Sequence, residues 1–176
     1  MSIEMKSRIH LNSGNGHAKG LDQPVVLLQG LLVESFFDFI KKRDIKMAVV
    51  LEGRPRLKAV KSNTDKLLKN GIIPLVIADN MAGYFFYKNL VKEVWIGYQS
   101  KSKETLVGET GALILGVLGK RHKVPVNAYP AQGIREFIGQ ESELLSFNGK
   151  QVTSQKLRCY VPLLEIVPRK YIEKIF

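Results

Sequence analysis

The amino-acid sequence predicts an α/β fold in which helices cover a mainly parallel sheet. Short runs rich in valine, isoleucine and leucine alternate with helical patterns along the chain. Such runs are typical of strands buried on both faces, and their alternation with helices indicates right-handed crossovers in a parallel sheet. The 176 residues are enough for one domain with a substantial core. We therefore expect a single domain over residues 1–176, in which residues 1–24 form a loop-rich arm.

The first predicted elements follow this arm. Leucine and phenylalanine recur at helical spacing between Gly30 and Arg43, which predicts a helix with one apolar face. Residues 47–51 are continuously apolar and predict a buried strand. Pro55 is expected to open the next helix, because proline is favoured in a first helical turn. Asn70-Gly71 is a typical stop signal for that helix.

The alternation continues through the middle of the chain. Residues 72–78 and 91–97 predict strands, and Asp79 is a natural N-cap for a helix between them. The polar stretch 98–108 is expected to be a long loop of the kind that often covers a ligand. A helix over 108–122 and a strand over 124–129 should follow it.

The last part of the chain has a different pattern. Phe147-Asn148-Gly149-Lys150 is a strong signal for a two-residue β-hairpin. Residues 161–176 are expected to begin extended and to end as a short helix after Pro168. The sequence thus predicts a small hairpin and a C-terminal helix in addition to the sheet.

Composition and charge restrict the partners. The net charge of +11 and pI near 9.8 favour anionic partners such as phosphorylated small molecules or nucleic acid, although a solvated lysine-rich surface explains the charge equally well. No apolar run reaches the roughly 20 residues that span a bilayer, so no membrane partner is expected. A single cysteine and the lack of a signal peptide indicate the cytoplasm.

Neither a metal nor a cofactor is expected. The three histidines and Cys159 do not have the spacing of metal ligands. The sequence also lacks a glycine-rich phosphate loop of either common type.

The candidate site lies where predicted strands end. Glu52 and Asp79 each follow an apolar run, and residues 97–99 follow another. In an open α/β sheet, ligands bind outside the carboxyl ends of the strands. The two carboxylates could hold sugar hydroxyls, while the helix N-termini, with Arg54 or Arg56, could hold a phosphate. The alternative is that Asp79 only caps its own helix and that Glu52 pairs with a nearby arginine.

Four ordered motifs resemble those of a known family. Residues 51–57 are similar to its Glu-Thr-Arg-Pro-Arg-Leu segment, and residues 79–83 to its Asp-Ser-Met-Ala-Gly segment. Residues 111–126 resemble its Gly-Thr, Lys-His and Ile-Pro run, and residues 161–172 its closing segment with Asn-Pro and Thr-Pro. The family joins the regulatory α, β and δ subunits of translation initiation factor 2B to isomerases of methylthioribose-1-phosphate and ribose-1,5-bisphosphate.

The resemblance covers about residues 8–175 and corresponds to the C-terminal domain of the family. It implies a Rossmann-like, three-layer arrangement and a homodimer or higher oligomer formed through this domain. It also implies a phosphorylated sugar as the ligand class. The helical N-terminal domain of the family, which helps the isomerases to bind phosphate, has no counterpart in these 176 residues.

The resemblance also implies which positions would be catalytic. The isomerase cysteine corresponds to Leu11, the isomerase aspartate to Gln99, and a substrate-contacting Asn-Lys pair to Gly108-Glu109. Leucine is no nucleophile, glutamine is no general base, and the carboxylate of Glu109 would repel a phosphate. We therefore expect the family's isomerase mechanism to be lost, which leaves the catalytic residues unassigned.

Three functions remain open from the sequence. The first is a non-catalytic initiation factor 2B-like domain that binds a sugar phosphate or nucleotide and self-associates. The second is an isomerase-type enzyme that uses Glu52 and Asp79 as an acid/base pair. The third is a basic nucleic-acid-binding module, motivated by the net charge. The predicted ligand-binding residues are Glu52, Arg54, Asp79, Asn80, Gly97, Gln99 and Glu109.

Overall fold

The structure is a computed structural model, and it describes residues 23–134, 136–153 and 157–176. An eight-stranded sheet and a separate two-stranded hairpin make up its β structure. The strands are β1 (Val25–Gln29), β2 (Met47–Leu51), β3 (Ile73–Ile77), β4 (Val91–Lys101), β5 (Thr105–Glu109), β6 (Val126–Pro130), β7 (Ser146–Phe147), β8 (Lys150–Gln151), β9 (Leu164–Pro168) and β10 (Lys174–Ile175). The helices are α1 (Glu34–Lys41), α2 (Lys58–Lys69), α3 (Ala82–Tyr87), α4 (Ala112–His122) and α5 (Ser142–Leu145), with 3-10 turns at Asp79–Met81 and Arg169–Tyr171.

The parallel part of the sheet has the order β10-β6-β4-β1-β2-β3. The chain starts in the middle at β1, moves outwards through β2 and β3, and then returns to the other side of β1 with β4. The carboxyl-terminal part of β4 pairs with β5 in the antiparallel sense, and β9 adds to β5 in the same way. The predicted α/β fold with a mainly parallel sheet is confirmed.

Helices cover both faces of the sheet. Helices α1 and α2 pack on one face, where Phe36, Phe37 and Leu67 are fully buried. Helices α3 and α4 pack on the other face around Phe86 and Leu115. Alternate residues of the central strands belong to the two cores, as the two-residue period of a strand requires. The three layers that the family resemblance implied are therefore present.

The strand register fixes the position of the site. Leu51 pairs with Ile77, so β2 and β3 end side by side. Gln29 pairs with Ile96, which brings the end of β1 next to β4. The carboxyl ends of these strands consequently form one edge, here called the carboxyl edge. The opposite edge, where the parallel strands begin, is called the amino edge.

The central strand β1 was missing from the sequence prediction. Residues 25–29 directly precede the apolar residues of the first helix, so the two elements merge into one apolar stretch in the sequence. Gly30, with a φ of 83°, separates them by a turn that non-glycine residues rarely adopt.

The predicted ligand-covering loop over residues 98–108 is wrong. Strand β4 continues to Lys101, and β5 returns antiparallel to it after a short turn. Ser102 stabilises this turn by accepting hydrogen bonds from the backbone N–H groups of Glu104 and Thr105. The polar residues of this stretch are thus the exposed positions and the tip of a hairpin rather than a lid.

Two helix predictions differ from the structure. Helix α2 begins at Lys58, and Pro55 lies in a turn after a cis peptide bond with Arg54. The expected C-terminal helix is a single 3-10 turn at Arg169–Tyr171, after which the chain pairs with β6 as β10. Sheet pairing therefore replaces helix formation at the end of the chain.

The small hairpin is confirmed at Phe147–Lys150. Asn148 and Gly149 both have positive φ, of 51° and 74°, as a type I′ turn requires. Among the described residues, no helix is both long enough and apolar enough to cross a membrane. No group of histidine, cysteine and carboxylate side chains in the described part of the chain is arranged to hold a metal ion.

Candidate functional site

Asp79 connects the ends of β2 and β3 at the carboxyl edge. Its carboxylate accepts hydrogen bonds from the backbone N–H groups of Gly53 at 2.9 Å and Arg54 at 2.8 Å. No side chain caps the turn at Asp79–Met81 or helix α3. Asp79 therefore does not act as the helix N-cap that the sequence suggested. Its two oxygens instead fix the loop that carries Arg54, because that loop offers two adjacent N–H donors.

Glu52 lies beside Asp79. Burial raises the pKa of Glu52 above its ordinary value of 4.5, and the negative charge of Asp79 raises it further. The positive charge of Arg54 and the backbone N–H of Asp79 act in the opposite direction. Within the described residues, Glu52 has no arginine partner at ion-pair distance, so the simple ion pair considered from the sequence is not formed.

Glu109 adds a third carboxylate to this edge. It ends β5, and its Oε1 accepts a hydrogen bond from the backbone N–H of Leu31 at 2.8 Å. Burial raises the pKa of Glu109, and the charge of Asp79 raises it as well, while the hydrogen bond from Leu31 opposes this. Asp79 thus interacts electrostatically with both glutamates. The candidate site is a cluster of three carboxylates in which two side chains are harder to ionise than usual.

The burial of Glu109 leads to a pH-dependent prediction. A carboxyl group whose pKa is higher in the folded than in the unfolded state lowers stability once it ionises. The loss begins as the pH rises above the unfolded-state pKa, and it is complete above the folded-state pKa. Glu109→Gln removes this cost and keeps an oxygen that can accept from Leu31. We expect the variant to have a higher Tm than wild type at pH 7 and an equal Tm at pH 4.

Thermal unfolding followed by circular dichroism measures this difference. Glu104→Gln at the exposed hairpin tip is the matched control and should leave Tm unchanged at both pH values. A Glu109→Gln variant that is less stable than wild type at pH 7 would contradict this prediction. The interactions of the ionised carboxylate would then stabilise the fold by more than burial of its charge destabilises it.

A cavity of about 560 Å³ lies next to the carboxylates. Its lining includes three basic residues, two glutamates and the hairpin around Phe147; the charged residues are Arg54, Arg56, Lys58, Glu136 and Glu143. The guanidinium of Arg54 stacks on the Phe147 ring, with its carbon 4.4 Å from the ring centroid. Glu52 and Asp79 do not line this cavity, so Arg54 is the residue that the cavity and the carboxylates share.

The three basic residues of the cavity differ in their pairing. Arg56 is held by Glu143, with Nε 2.7 Å from Oε1, and by Glu136. These carboxylates raise the pKa of Arg56, and Arg56 in turn lowers the pKa of Glu143. Neither Arg54 nor Lys58 has a carboxylate within ion-pair distance in the described part of the structure. The charge of Arg54 acts on Glu52 and that of Lys58 on Glu143 without a direct ion pair, so each could still contact an anion.

Helix α2 adds a further favourable feature for an anion. Its N-terminus has no side-chain cap and no acidic residue in the first turn. Among the described residues, neither a cap nor an acidic residue of the first turn therefore offsets the partial positive charge of this helix N-terminus. Leu57 and Lys58, at this end of the helix, line the cavity.

The remaining predicted site residues occupy different environments. Asn80 is exposed, next to Asp79. Gly97 is buried below Ala131, and a Cβ at this position would lie 2.9 Å from the Ala131 Cβ. Gln99 accepts a hydrogen bond from the backbone N–H of Ile134 at 2.9 Å, and its buried Nε2 has no partner within the described part of the chain. Leu11 lies outside the described residues.

Sequence reasoning missed two features of the site. Gln29 donates from Nε2 to the carbonyl oxygens of Glu109 and Thr110, at 3.1 and 3.4 Å, and ties β1 to the end of β5. Gln29 could not be assigned to the site from the sequence, because it ends β1 and this strand was not predicted. Phe147 was recognised as part of a hairpin, but its stacking on Arg54 joins positions that are distant in the chain and carries no local sequence signal.

A sequence profile of the Initiation factor 2 subunit family matches residues 9–176, almost the whole chain. The chain belongs to this family. The resemblance inferred from the motifs is thereby confirmed. The methylthioribose-1-phosphate isomerase of Koribacter versatilis (strain Ellin345) is 27% identical over 136 residues, which cover 70% of this chain and 38% of that protein.

Two solved structures have the same fold. The eIF-2B subunit delta from A. fulgidus has a TM-score of 0.74 at 16% identity, covering 87% of this chain and 52% of that chain. The 5-methylthioribose 1-phosphate isomerase from Pyrococcus horikoshii OT3 also has a TM-score of 0.74, at 19% identity, covering 89% of this chain and 50% of that chain. This member of the family thus spans about half the length of the proteins to which it is similar, or less.

Proposed function

We propose that this initiation factor 2 family domain binds a phosphorylated sugar or nucleotide at the carboxyl edge without isomerising it by the family mechanism. The observation that carries the proposal is the state of Arg54. Asp79 holds its backbone, no carboxylate of the described residues lies within ion-pair distance of its guanidinium, and it lines a cavity beside the uncapped end of α2. A phosphate fits this arrangement because it is a dianion with several acceptor oxygens.

The carboxylates suit the other end of such a ligand. Ring hydroxyls donate hydrogen bonds to carboxylates, and Glu52 is next to both Arg54 and Asp79. Glu109 and Gln99 extend the polar wall towards β4 and β5, Gly97 shapes the backbone beneath it, and Asn80 offers an exposed amide. The site therefore combines a cationic end for phosphate with a carboxylate-rich end for hydroxyls.

A thermal-shift screen against ribose phosphates, methylthioribose-1-phosphate and nucleoside monophosphates tests this proposal. A ligand at about 100 times its dissociation constant should stabilise the fold by roughly 2.7 kcal/mol. We expect Arg54→Gln to weaken binding of the hit about tenfold, since a charge-assisted hydrogen bond contributes roughly 1.5–3 kcal/mol. Arg121→Gln on the amino edge is the matched control and should bind like wild type. Failure of every ligand to shift Tm would contradict the proposal.

One observation favours the alternative of an enzyme that uses other residues of the site. Glu52, with a raised pKa, lies beside Asp79, and two carboxylates in different environments can share acid and base roles. Against this, both Asp79 oxygens already accept backbone N–H groups. Turnover of the bound ligand that Glu52→Gln abolishes would establish the enzymatic alternative. A ligand that binds without turnover supports the non-catalytic function.

Self-association is part of the same proposal. Strand β9 pairs with β5 on one side only in the described structure, and Ile166 on this strand is 58% exposed. One of the similar structures is by name a subunit of a larger assembly. The proposal predicts a dimer or higher oligomer, which light scattering after size-exclusion chromatography measures directly. A monomer at micromolar concentration would contradict this part.

A further inference from the structure

Many of the exposed cations among the described residues lie at the amino edge, away from the candidate site. The helices run antiparallel to the parallel strands, so their C-termini end at this edge. Helix α1 ends in the basic run 41–43, and α4 ends in Lys120 and Arg121. The exposed cations at this edge include Lys46, Lys92, Lys120, Arg121, Lys123 and Lys174.

Helix dipoles do not account for this concentration. Cations are favoured in the last turn of a helix, which explains Lys120 and Arg121. Lys46 directly precedes β2, Lys92 is the second residue of β4, and Lys174 is the first residue of β10. These lysines lie at strand starts, where no helix dipole favours them.

Acidic residues neutralise only part of this charge. Asp44 pairs with Lys46, and the buried Glu93 pairs with Arg43 at 2.8 Å. For the remaining cations of the edge, the described residues offer no carboxylate within ion-pair distance; these are Lys92, Lys120, Arg121, Lys123 and Lys174. Like charges that are close together destabilise the fold, so a partner that neutralises them gains free energy.

Three grooves run along this edge. The first has a volume of about 380 Å³ and contains Lys46 and Lys92, between the starts of β1, β2 and β4. The second, of about 430 Å³, contains Arg43 and Lys174 together with the carboxylates of Glu93 and Glu173. The third, of about 400 Å³, contains Lys120, Lys123 and Lys170. The second and third grooves share Pro125 and Glu173, so they are continuous.

The second groove also has an aromatic wall. Phe39, Trp95 and Phe176 line it, and the residue Phe176 is 44% exposed. The Phe176 ring packs against Phe39, Trp95 and Tyr129, with centroids 5.4, 5.2 and 5.9 Å away. Trp95 is 1% exposed, and its indole Nε1 is buried with no hydrogen-bond partner among the described residues. Arg43 lies over the rings of both Phe39 and Trp95. An exposed ring between cations is the arrangement on which nucleic-acid bases stack.

We propose that the amino edge binds single-stranded nucleic acid. The phosphates lie along the three grooves against the unpaired lysines, and one base stacks on Phe176 at the second groove. In the sheet, β2 and β10 are separated by four inter-strand spacings, or roughly 19 Å. This length of the edge has room for several consecutive nucleotides. A single strand is favoured over a duplex because its unpaired bases can reach an aromatic ring within a groove.

Fluorescence anisotropy with a fluorescein-labelled 20-nucleotide oligouridylate tests the proposal over a series of salt concentrations. For each phosphate contact, the logarithm of the association constant should fall by about 0.7 when the salt concentration rises tenfold. We expect the triple variant Lys92→Glu, Lys120→Glu, Lys123→Glu to lose more than about tenfold in affinity and about two units of salt slope. Phe176→Ala should lose about tenfold with an unchanged salt slope.

The matched control carries the same change in net charge elsewhere. The triple variant Lys101→Glu, Lys103→Glu, Lys150→Glu alters exposed lysines at the end of β4 and on the two hairpins. It should bind within about threefold of wild type. All these positions are exposed, so the variants should fold, and their Tm values verify this.

Three results would overturn the proposal. Equal losses in the two triple variants would mean that net charge alone causes binding. Equal affinity for duplex RNA, or equal competition by polyglutamate, would mean that the edge binds polyanions without using a base. Absence of saturable binding at low salt would exclude the interface. None of these results bears on the carboxyl edge, where the sugar-phosphate proposal is tested with a different ligand.

Discussion

Asp79→Ala is expected to lower the free energy of unfolding by about 2–4 kcal/mol and to abolish sugar-phosphate binding. The substitution removes the acceptor of two backbone N–H groups, those of Gly53 and Arg54. Hydrogen bonds to a charged group contribute roughly 1.5–3 kcal/mol each, and water recovers part of that at a half-buried site. The loop that carries Arg54 then loses its connection to β3, so the guanidinium is no longer held at the cavity.

Urea unfolding and the thermal-shift assay measure the two effects on the same protein. Asp79→Asn keeps one acceptor oxygen, so we expect a loss of stability about half as large and a residual affinity. Asp65→Ala, which removes an exposed carboxylate from α2, is the control and should change the stability by less than about 0.5 kcal/mol.

The comparison of Asp79→Ala with Glu52→Gln separates structural from direct roles. Glu52 accepts from the backbone N–H of Asp79, and Glu52→Gln keeps an oxygen that can accept this bond, so the variant should preserve stability and reduce only ligand affinity. An Asp79→Ala protein as stable as wild type would show that the loop keeps its conformation without the carboxylate. The assignment of Asp79 as the anchor of the site would then be wrong.

Elements with local signals were predictable from the sequence. Strand β2 has the predicted bounds because five apolar residues lie between a basic turn and Glu52. The Asn148-Gly149 turn was predictable because its backbone conformation demands those residue types. By contrast, the end of the chain is a strand because β6 offers it a free edge, and this information is not contained in residues 169–176.

The candidate site was predictable only in part, for a related reason. The sheet topology brings Glu52, Asp79 and Glu109 to one edge, and the rule that ligands bind at carboxyl ends identified that edge. The direction of the Asp79 side chain was not predictable. A helix N-cap and a loop anchor use the same aspartate, and the choice depends on which N–H groups a neighbouring strand end provides.

Gly97→Ala is expected to destabilise the fold by about 1–3 kcal/mol. A Cβ at this position would lie 2.9 Å from the Ala131 Cβ, and neither atom can rotate away. Overpacking a closed position costs roughly this amount, because the backbone has to move. The segment that must move is tied down on both sides, since Ala131 donates to the carbonyl of Tyr98 and Gln132 to that of Leu31.

A glycine-to-alanine substitution at another position of the chain should stabilise the fold instead of destabilising it. Gly83 lies in α3, and nothing lies within 4 Å of a Cβ built there. Gly83→Ala should therefore stabilise the fold by about 0.5–1 kcal/mol through helix propensity alone. Chemical denaturation of both variants measures the contrast.

Ala131→Gly provides the decisive partner variant. If the clash between two Cβ atoms is the cause, the double variant Gly97→Ala, Ala131→Gly should recover most of the stability that Gly97→Ala loses. Additive losses would instead mean that Gly97 is required for its backbone freedom or for a ligand. Gly97 was selected from the sequence as a ligand-binding residue because of its place at a strand end. The stabilities of the two single variants and the double variant distinguish two reasons for this glycine. Either it leaves room for a ligand, or it leaves room for the chain at Ala131, which passes over the junction of β1 and β4.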